Sequence, residues 1–305
     1  MALNPEFAME LPASSANLGP AFDTAALAWN RWLRVEAQRA DEFRVSARGR
    51  DAERCGEARE HLILNVYREV MEAAGGAAAP LALELDNEIP IGKGCGSSAA
   101  ARLAGVALAV RFGRLKWTAQ RVVEEAARRE GHADNAAACW WGGLAVTQTG
   151  AEGELRWLRV AAGQPWALLL AVPAQGLATE VARAALPASY GRGEAVANVQ
   201  NAVLLIEAWR QGRGEMLRSA MEDRMHEPYR AALCPLLGVM RPLAGHDGIL
   251  GCALSGAGPS VLVIARDGGR AKAAMQAAMR RAGMEGEILE AAMVEQGPGV
   301  SWDSR

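Results

Sequence analysis

Apolar positions along this chain follow two periods, and where each holds sets the predicted elements. Leu62, Val66 and Val70 recur at helical spacing and run into Gly75-Gly76, predicting a helix over 62–74. Leu81, Leu83 and Leu85 alternate with other residues and predict a strand over 80–85. An alanine-rich apolar run predicts a helix over 98–112, and a second helix follows over 118–129 with Thr118 as its cap. Nearer the start, 11–16 and 22–37 read as strands on either side of a loop. After Gly142-Gly143 the pattern changes to strands over 144–147, 155–160 and 167–172. The last is apolar throughout, as for a strand buried on both faces. Helical spacing returns over 194–211 and 213–222. A strand–loop–strand unit (251–265), a helix (270–282) and a strand (288–293) complete the pattern. Strands and helices mixed in this order indicate an α+β fold. No linker, repeat or low-complexity segment divides the chain.

The most informative loop enters the helix predicted over 98–112. It reads Pro90-Ile91-Gly92-Lys93-Gly94-Cys95-Gly96-Ser97-Ser98-Ala99. Glycines let backbone N–H groups approach an anion closely, and a following helix aims unpaired N–H groups and its positive dipole end at the same point. Proteins hold phosphate in this way. Ser97 and Ser98 are placed to cap the helix, to bind phosphate or to present a hydroxyl to Mg²⁺. The loop is not a Walker A motif, because no Lys follows its last glycine, and it lacks the dinucleotide-binding spacing. Lys93 is as well explained by a surface lysine as by a phosphate ligand.

Composition narrows the classes. The chain has 305 residues, 50% hydrophobic and 22% charged, so a sizeable core is expected rather than disorder. A net charge of −2 gives no reason to propose nucleic acid or a membrane as partner. The five cysteines form no C-x-x-C pair, and the four histidines no H-x-x-x-H pair. Free thiols in a cytoplasmic protein are the expectation, with no structural zinc. No apolar stretch is long enough for a membrane span. Residues 1–8 read as an expression remnant before a native start at Met9, and are set aside from the fold.

Two further segments bear on the glycine loop. One is Pro12-Ala13-Ser14-Ser15-Ala16-Asn17-Leu18-Gly19-Pro20-Ala21-Phe22-Asp23, and the other is Ala253-Leu254-Ser255-Gly256-Ala257-Gly258-Pro259-Ser260. In order and spacing the three resemble the three motifs of the GHMP kinase superfamily, over nearly the whole chain. The first motif and His132-Ala133-Asp134-Asn135 look most like its homoserine kinases. The resemblance implies two lobes, 9–165 carrying the phosphate loop and 166–305 carrying motif three, with the active site in the cleft between them. It also implies a cytoplasmic enzyme of threonine biosynthesis, phosphorylating the L-homoserine hydroxyl with ATP and Mg²⁺, as a homodimer.

The family pattern assigns residues in the same way. The loop residues Pro90 to Ala99 would bind the nucleotide phosphates, and Asn65 the nucleobase or ribose. Ser98 would coordinate Mg²⁺ with the glutamate eight positions before His132, which is Glu124. Asn17, Asp23 and Asp134 would bind the acceptor, with Asn135 near the reacting hydroxyl. Arg183 and Arg230 would clamp its carboxylate through bidentate forks. Ser255, Gly256 and Gly258 would shape the cleft floor and steady the phosphate loop. His132 and His226 read as structural. Because Asn135 stands where mevalonate kinases place an aspartate, catalysis without a dedicated protein base is implied. Departures from the homoserine kinase pattern are Ala21, Cys95 and Ala138. The rival readings are a kinase of the same fold with a mevalonate-like or shikimate-like acceptor, and a non-catalytic binder of ATP or an amino acid.

Overall fold

The computed structural model describes residues 5–56 and 61–297. Among these residues ten strands form two sheets. The first holds β1 (Phe7–Asn17), β2 (Ala21–Arg39), β3 (Arg44–Gly49), β4 (Leu81–Asn87), β5 (Leu144–Thr149) and β6 (Leu155–Val160). Its order is β3-β4-β2-β5-β6, with β1 along the other edge of β2. The second has the order β10-β7-β9-β8, from β7 (Ala167–Pro173), β8 (Ile249–Leu254), β9 (Val261–Ala265) and β10 (Gly286–Ala291). All pairs are antiparallel except β3 with β4. The α+β reading is borne out.

Strand β2 organises the first sheet. It pairs with β1 along most of its length and, on its other edge, with β5 near its start and β4 near its end. Between these two, the segment after β10 returns to it, Asn30 N donating to Ala292 O at 3.0 Å. Phe7 and Ala8, which the sequence reading sets aside, pair with Ala37 and Glu36 and so belong to the sheet.

Helices α1 (Ala52–Cys55), α2 (Leu62–Ala73), α3 (Ser97–Gly113), α4 (Ala119–Glu130) and α5 (Asp134–Trp141) accompany the first sheet. Helix α3 is buried along most of its length, which is why its sequence is apolar all round rather than striped. Burying Leu103, Val106 and Leu108 contributes about 2 kcal/mol each. The amphipathic α4 begins at Thr118, whose Oγ1 accepts from Arg121 N at 3.2 Å, and stops at Gly131 with φ 86°. Helices α6 (Thr179–Ala184), α7 (Arg192–Gln211), α8 (Gly214–Ala220), α9 (Glu227–Arg230), α10 (Pro235–Met240) and α11 (Gly268–Arg281) accompany the second sheet. Among the described residues no helix is long and apolar enough to cross a membrane.

Candidate active site

A cleft of about 540 Å³ runs between the two sheets. Its centre is the glycine loop. Gly92, Gly94 and Gly96 all have φ near +70°, a region that residues with a Cβ adopt at a cost. At Gly96 a Cβ would lie 2.1 Å from Ser14 Oγ, and at Gly94 one would lie 2.1 Å from Ser255 O. The loop is therefore pressed onto β1 and onto the turn between β8 and β9. Helix α3 starts at Ser97 with no side-chain cap on its first N–H groups, leaving them to face the cleft.

Motif three supports the loop from beneath. Ser255 Oγ donates to Gly94 O at 2.6 Å and itself accepts from Ser15 Oγ at 2.7 Å. Gly256 N donates to Ala16 O, and Gly258 belongs to the same turn. Cys95 is buried behind the loop, and burial pushes its thiol up to about 12. Ala99 is also buried.

The other end of the cleft is built on the loop joining β1 to β2. Asn17, Leu18 and Asp23 take φ of 72°, 49° and 50°, strain of a kind that collects at functional sites. Asn17 holds the turn, its Oδ1 accepting from Asp23 N at 2.9 Å and its Nδ2 donating to Gly256 O at 2.8 Å. Asp23 then receives a two-bond fork from Arg183 at 2.8 and 3.2 Å. Arg230 is 1% exposed, donating from Nε to Ala182 O and from Nη1 to His226 Nδ1. Burial and the nearby Arg183 pull its pKa down. Phe22, a residue the sequence reading passes over, lies against both arginines. Arg183 and Arg230 stand 5.9 and 5.4 Å over its ring, and His226 stacks on it at 5.1 Å.

His226 Nε2 donates to Gly19 O at 2.9 Å while Nδ1 accepts from Arg230, so the ring is neutral. Burial lowers its pKa to about 4. His132 behaves oppositely. Burial opposes its charge, but the 2.6 Å hydrogen bond and the charge of Asp134 outweigh that and raise its pKa. Asp134 Oδ1 also accepts from Asn135 N at 2.7 Å, whereas Asp134 Oδ2 is buried with no hydrogen-bond partner. Asp23, His132 and Asp134 bring ligand atoms within 4.8 Å of one another. Asn135 Oδ1 accepts from Ser14 Oγ at 2.8 Å.

Several expected residues lie elsewhere. Glu124 does not line the cleft; its Oε1 accepts from Gln120 Nε2 and from Leu155 N, tying α4 to β6. The carboxylate beside Ser98 is Glu130, six residues further along α4 and on another side of the helix. Glu130 Oε2 stands 3.3 Å from Ser98 Oγ, and Arg102 contacts both. Glu130 was findable, because the stop at Gly131 places it at the helix end nearest His132. Asn65 is turned to Arg68 rather than to the cleft. The Lys93 ammonium points away from the cleft, to the carbonyls of Pro173 and Ala174. Pro90 lines the same outer groove as Lys93. Beyond the loop, the cleft continues between His61, Leu62, Leu85 and Ile91.

A glycine loop at a helix start, facing a pocket of paired carboxylates and arginines, is the arrangement of a small-molecule kinase. Residues 61–143 match the GHMP kinases N terminal domain, and 205–283 the GHMP kinases C terminal domain. The chain is 44% identical over 264 residues to a homoserine kinase of Solibacter usitatus, 86% of each chain being covered. It is 34% identical to one from Synechocystis sp., over 85% of this chain and 86% of that one. The crystal structure of homoserine kinase from Cytophaga hutchinsonii superposes with a TM-score of 0.81 at 23% identity, covering 98% of both chains. The chain belongs to the GHMP kinase family, and its relatives at these identities are homoserine kinases.

Proposed function

We propose that the protein transfers the γ-phosphoryl group of ATP to the side-chain hydroxyl of L-homoserine. The carrying observation is the acceptor pocket, in which Asp23 and Asp134 stand with Arg183 and Arg230 beside the phosphate loop. An α-amino acid needs carboxylates for its ammonium and a guanidinium for its carboxylate. The buried, unpartnered Asp134 Oδ2 suits the ammonium, and the 305-residue chain's homoserine kinase relatives favour this acceptor over mevalonate or shikimate.

Phosphoryl transfer asks mostly for positioning and charge neutralisation. The N–H groups of the loop and of the α3 N-terminus face the phosphates, and Leu62 and Leu85 line the cleft where adenine would lie. The donor set, a hydroxyl and a carboxylate, is oxygen only, as Mg²⁺ prefers, and Arg102, which contacts both, would have to give way to the ion. Ser98 and Glu130 would hold the ion, which when bound neutralises charge on the transferring phosphate. Asp134 and Asp23 bind the ammonium; Arg183 and Arg230 bind the carboxylate; Asn135 lies by the reacting hydroxyl. Asn135, placed by the reacting hydroxyl, is an amide and takes no proton at neutral pH. In this reading the hydroxyl proton leaves with a phosphate oxygen or to solvent.

The test is ADP release with ATP and Mg²⁺ against L-homoserine, mevalonate, shikimate and galactose. Turnover with homoserine alone is expected. Turnover with another alcohol overturns the acceptor assignment, and ATP binding without any turnover favours a non-catalytic binder.

A further inference from the structure

We propose that Ser14 is a positioning residue for this reaction, fixing the Asn135 amide so that its N–H face meets the reacting oxygens. The proposal rests on the functional reading above for what those oxygens are, but not for the orientation itself. Ser14 lies in β1 and is 0% exposed. Its backbone N donates to Cys95 O at 3.1 Å, which fixes the residue against the glycine loop. Its Oγ donates to Asn135 Oδ1 at 2.8 Å. Ser15, on the other face of the strand, is engaged by Ser255 instead.

A carboxamide offers an oxygen on one side and two N–H donors on the other, and nothing in the backbone of α5 chooses between them. Asp134 Oδ1 holds the backbone N of Asn135, not its side chain. The hydroxyl of Ser14 has one proton, and Asn135 Oδ1 is the acceptor the structure gives it among the described residues. A flipped amide would leave that buried proton unbonded, which costs more than a bond exchanged with water. With Oδ1 engaged, the N–H face of the amide is left to the cleft. There it donates to the acceptor oxygen or to a γ-phosphate oxygen as charge develops.

The test is a double-mutant cycle on the whole protein with ATP, Mg²⁺ and L-homoserine, using S14A, N135A and the double variant. Loss of one buried hydrogen bond predicts that S14A lowers kcat about five- to tenfold, with both KM values within about twofold. In the N135A background the same change should alter kcat less than about twofold, because no amide remains to be oriented. Equal losses in both backgrounds, or a loss appearing in the ATP KM, overturn the proposal and make Ser14 a support of the loop. A second readout does not depend on the acceptor. The ¹⁵N resonances of the Asn135 side-chain amide, identified by their loss in N135A, should form one sharp pair that broadens or doubles in S14A. An unchanged pair overturns the proposal. Expected spectra without homoserine turnover would retire the acceptor and keep the orientation. If S14A does not fold, S14C, similar in size but a poor donor, carries both measurements.

Discussion

Asp134→Asn changes a charge and little else. Oδ1 can keep accepting from His132 Nδ1 and Asn135 N, so the turn into α5 survives. The change falls on the other oxygen, buried and unpartnered in the free protein. Where a carboxylate oxygen would meet the substrate ammonium, the variant presents an NH₂ group or a neutral oxygen. A hydrogen bond to a charged group contributes about 1.5–3 kcal/mol, so kcat/KM for homoserine should fall by roughly 10- to 150-fold. The KM for ATP should stay within about twofold, since Asp134 faces the acceptor and not the phosphate loop. The variant should also lower the His132 pKa, because the Asp134 bond and charge hold it up. Steady-state kinetics with each substrate varied in turn, and NMR titration of His132, make the check. A variant with full homoserine kcat/KM, or one whose loss lies in the ATP KM, would refute the ammonium assignment.

Glu130→Gln should lower kcat/KM about 10- to 100-fold and raise the Mg²⁺ concentration needed for half-maximal activity, whereas Glu124→Gln should leave both near wild type; Mg²⁺ titrations of the two variants separate the carboxylates. Gly96→Ala should cost several kcal/mol or prevent folding, because its Cβ would collide with Ser14, while Gly131→Ala, with φ 86° but open space, should cost only about 1–2 kcal/mol in urea unfolding. His226, neutral in the fold with its pKa lowered to about 4, contributes stability that is present above pH 6.5 and lost as pH falls towards 4. Burial raises the neighbouring Glu227 carboxyl to about 7, which works the other way. The His226 contribution, about 3 kcal/mol, is therefore read as the difference between wild type and His226→Gln in denaturant unfolding at pH 6.5 and pH 4.

Local physics made much of the fold legible. The caps and stops of α2 and α4 sit where Gly75, Thr118 and Gly131 put them, and β7 is buried on both faces as its unbroken apolar run implies. The polar edge strand β3 and the short helices α6, α9 and α10 were not legible. Four to six residues give too little periodicity to read, and α9 is held by Asp223, whose carboxylate accepts from His226 N and Glu227 N. In the site, the loop glycines were readable from composition. Glu130 was within reach, at the helix end that Gly131 marks, but counting from a family spacing settled on Glu124, on another side of α4. The fork from Arg183 to Asp23 joins residues 160 apart, which no local pattern encodes. Phe22 gave no signal, since a ring beneath two guanidinium groups reads as one more core residue until its neighbours are known.

The phosphate loop is stitched to the far half of the molecule at every turn. Lys93 reaches the end of β7, Leu177 N bonds Gly92 O, and Ser255 bonds Gly94 O. The proposed nucleotide site is thus not a module that the first sheet could carry alone. A fragment ending after β6 would keep the glycine sequence but lose the braces that shape it. Chimeras exchanging the second sheet between relatives would alter ATP affinity without touching one residue of the loop. Sequence changes near Ser255 and Pro173 would then be felt as changes in nucleotide binding, and selection on one half of the chain constrains the other.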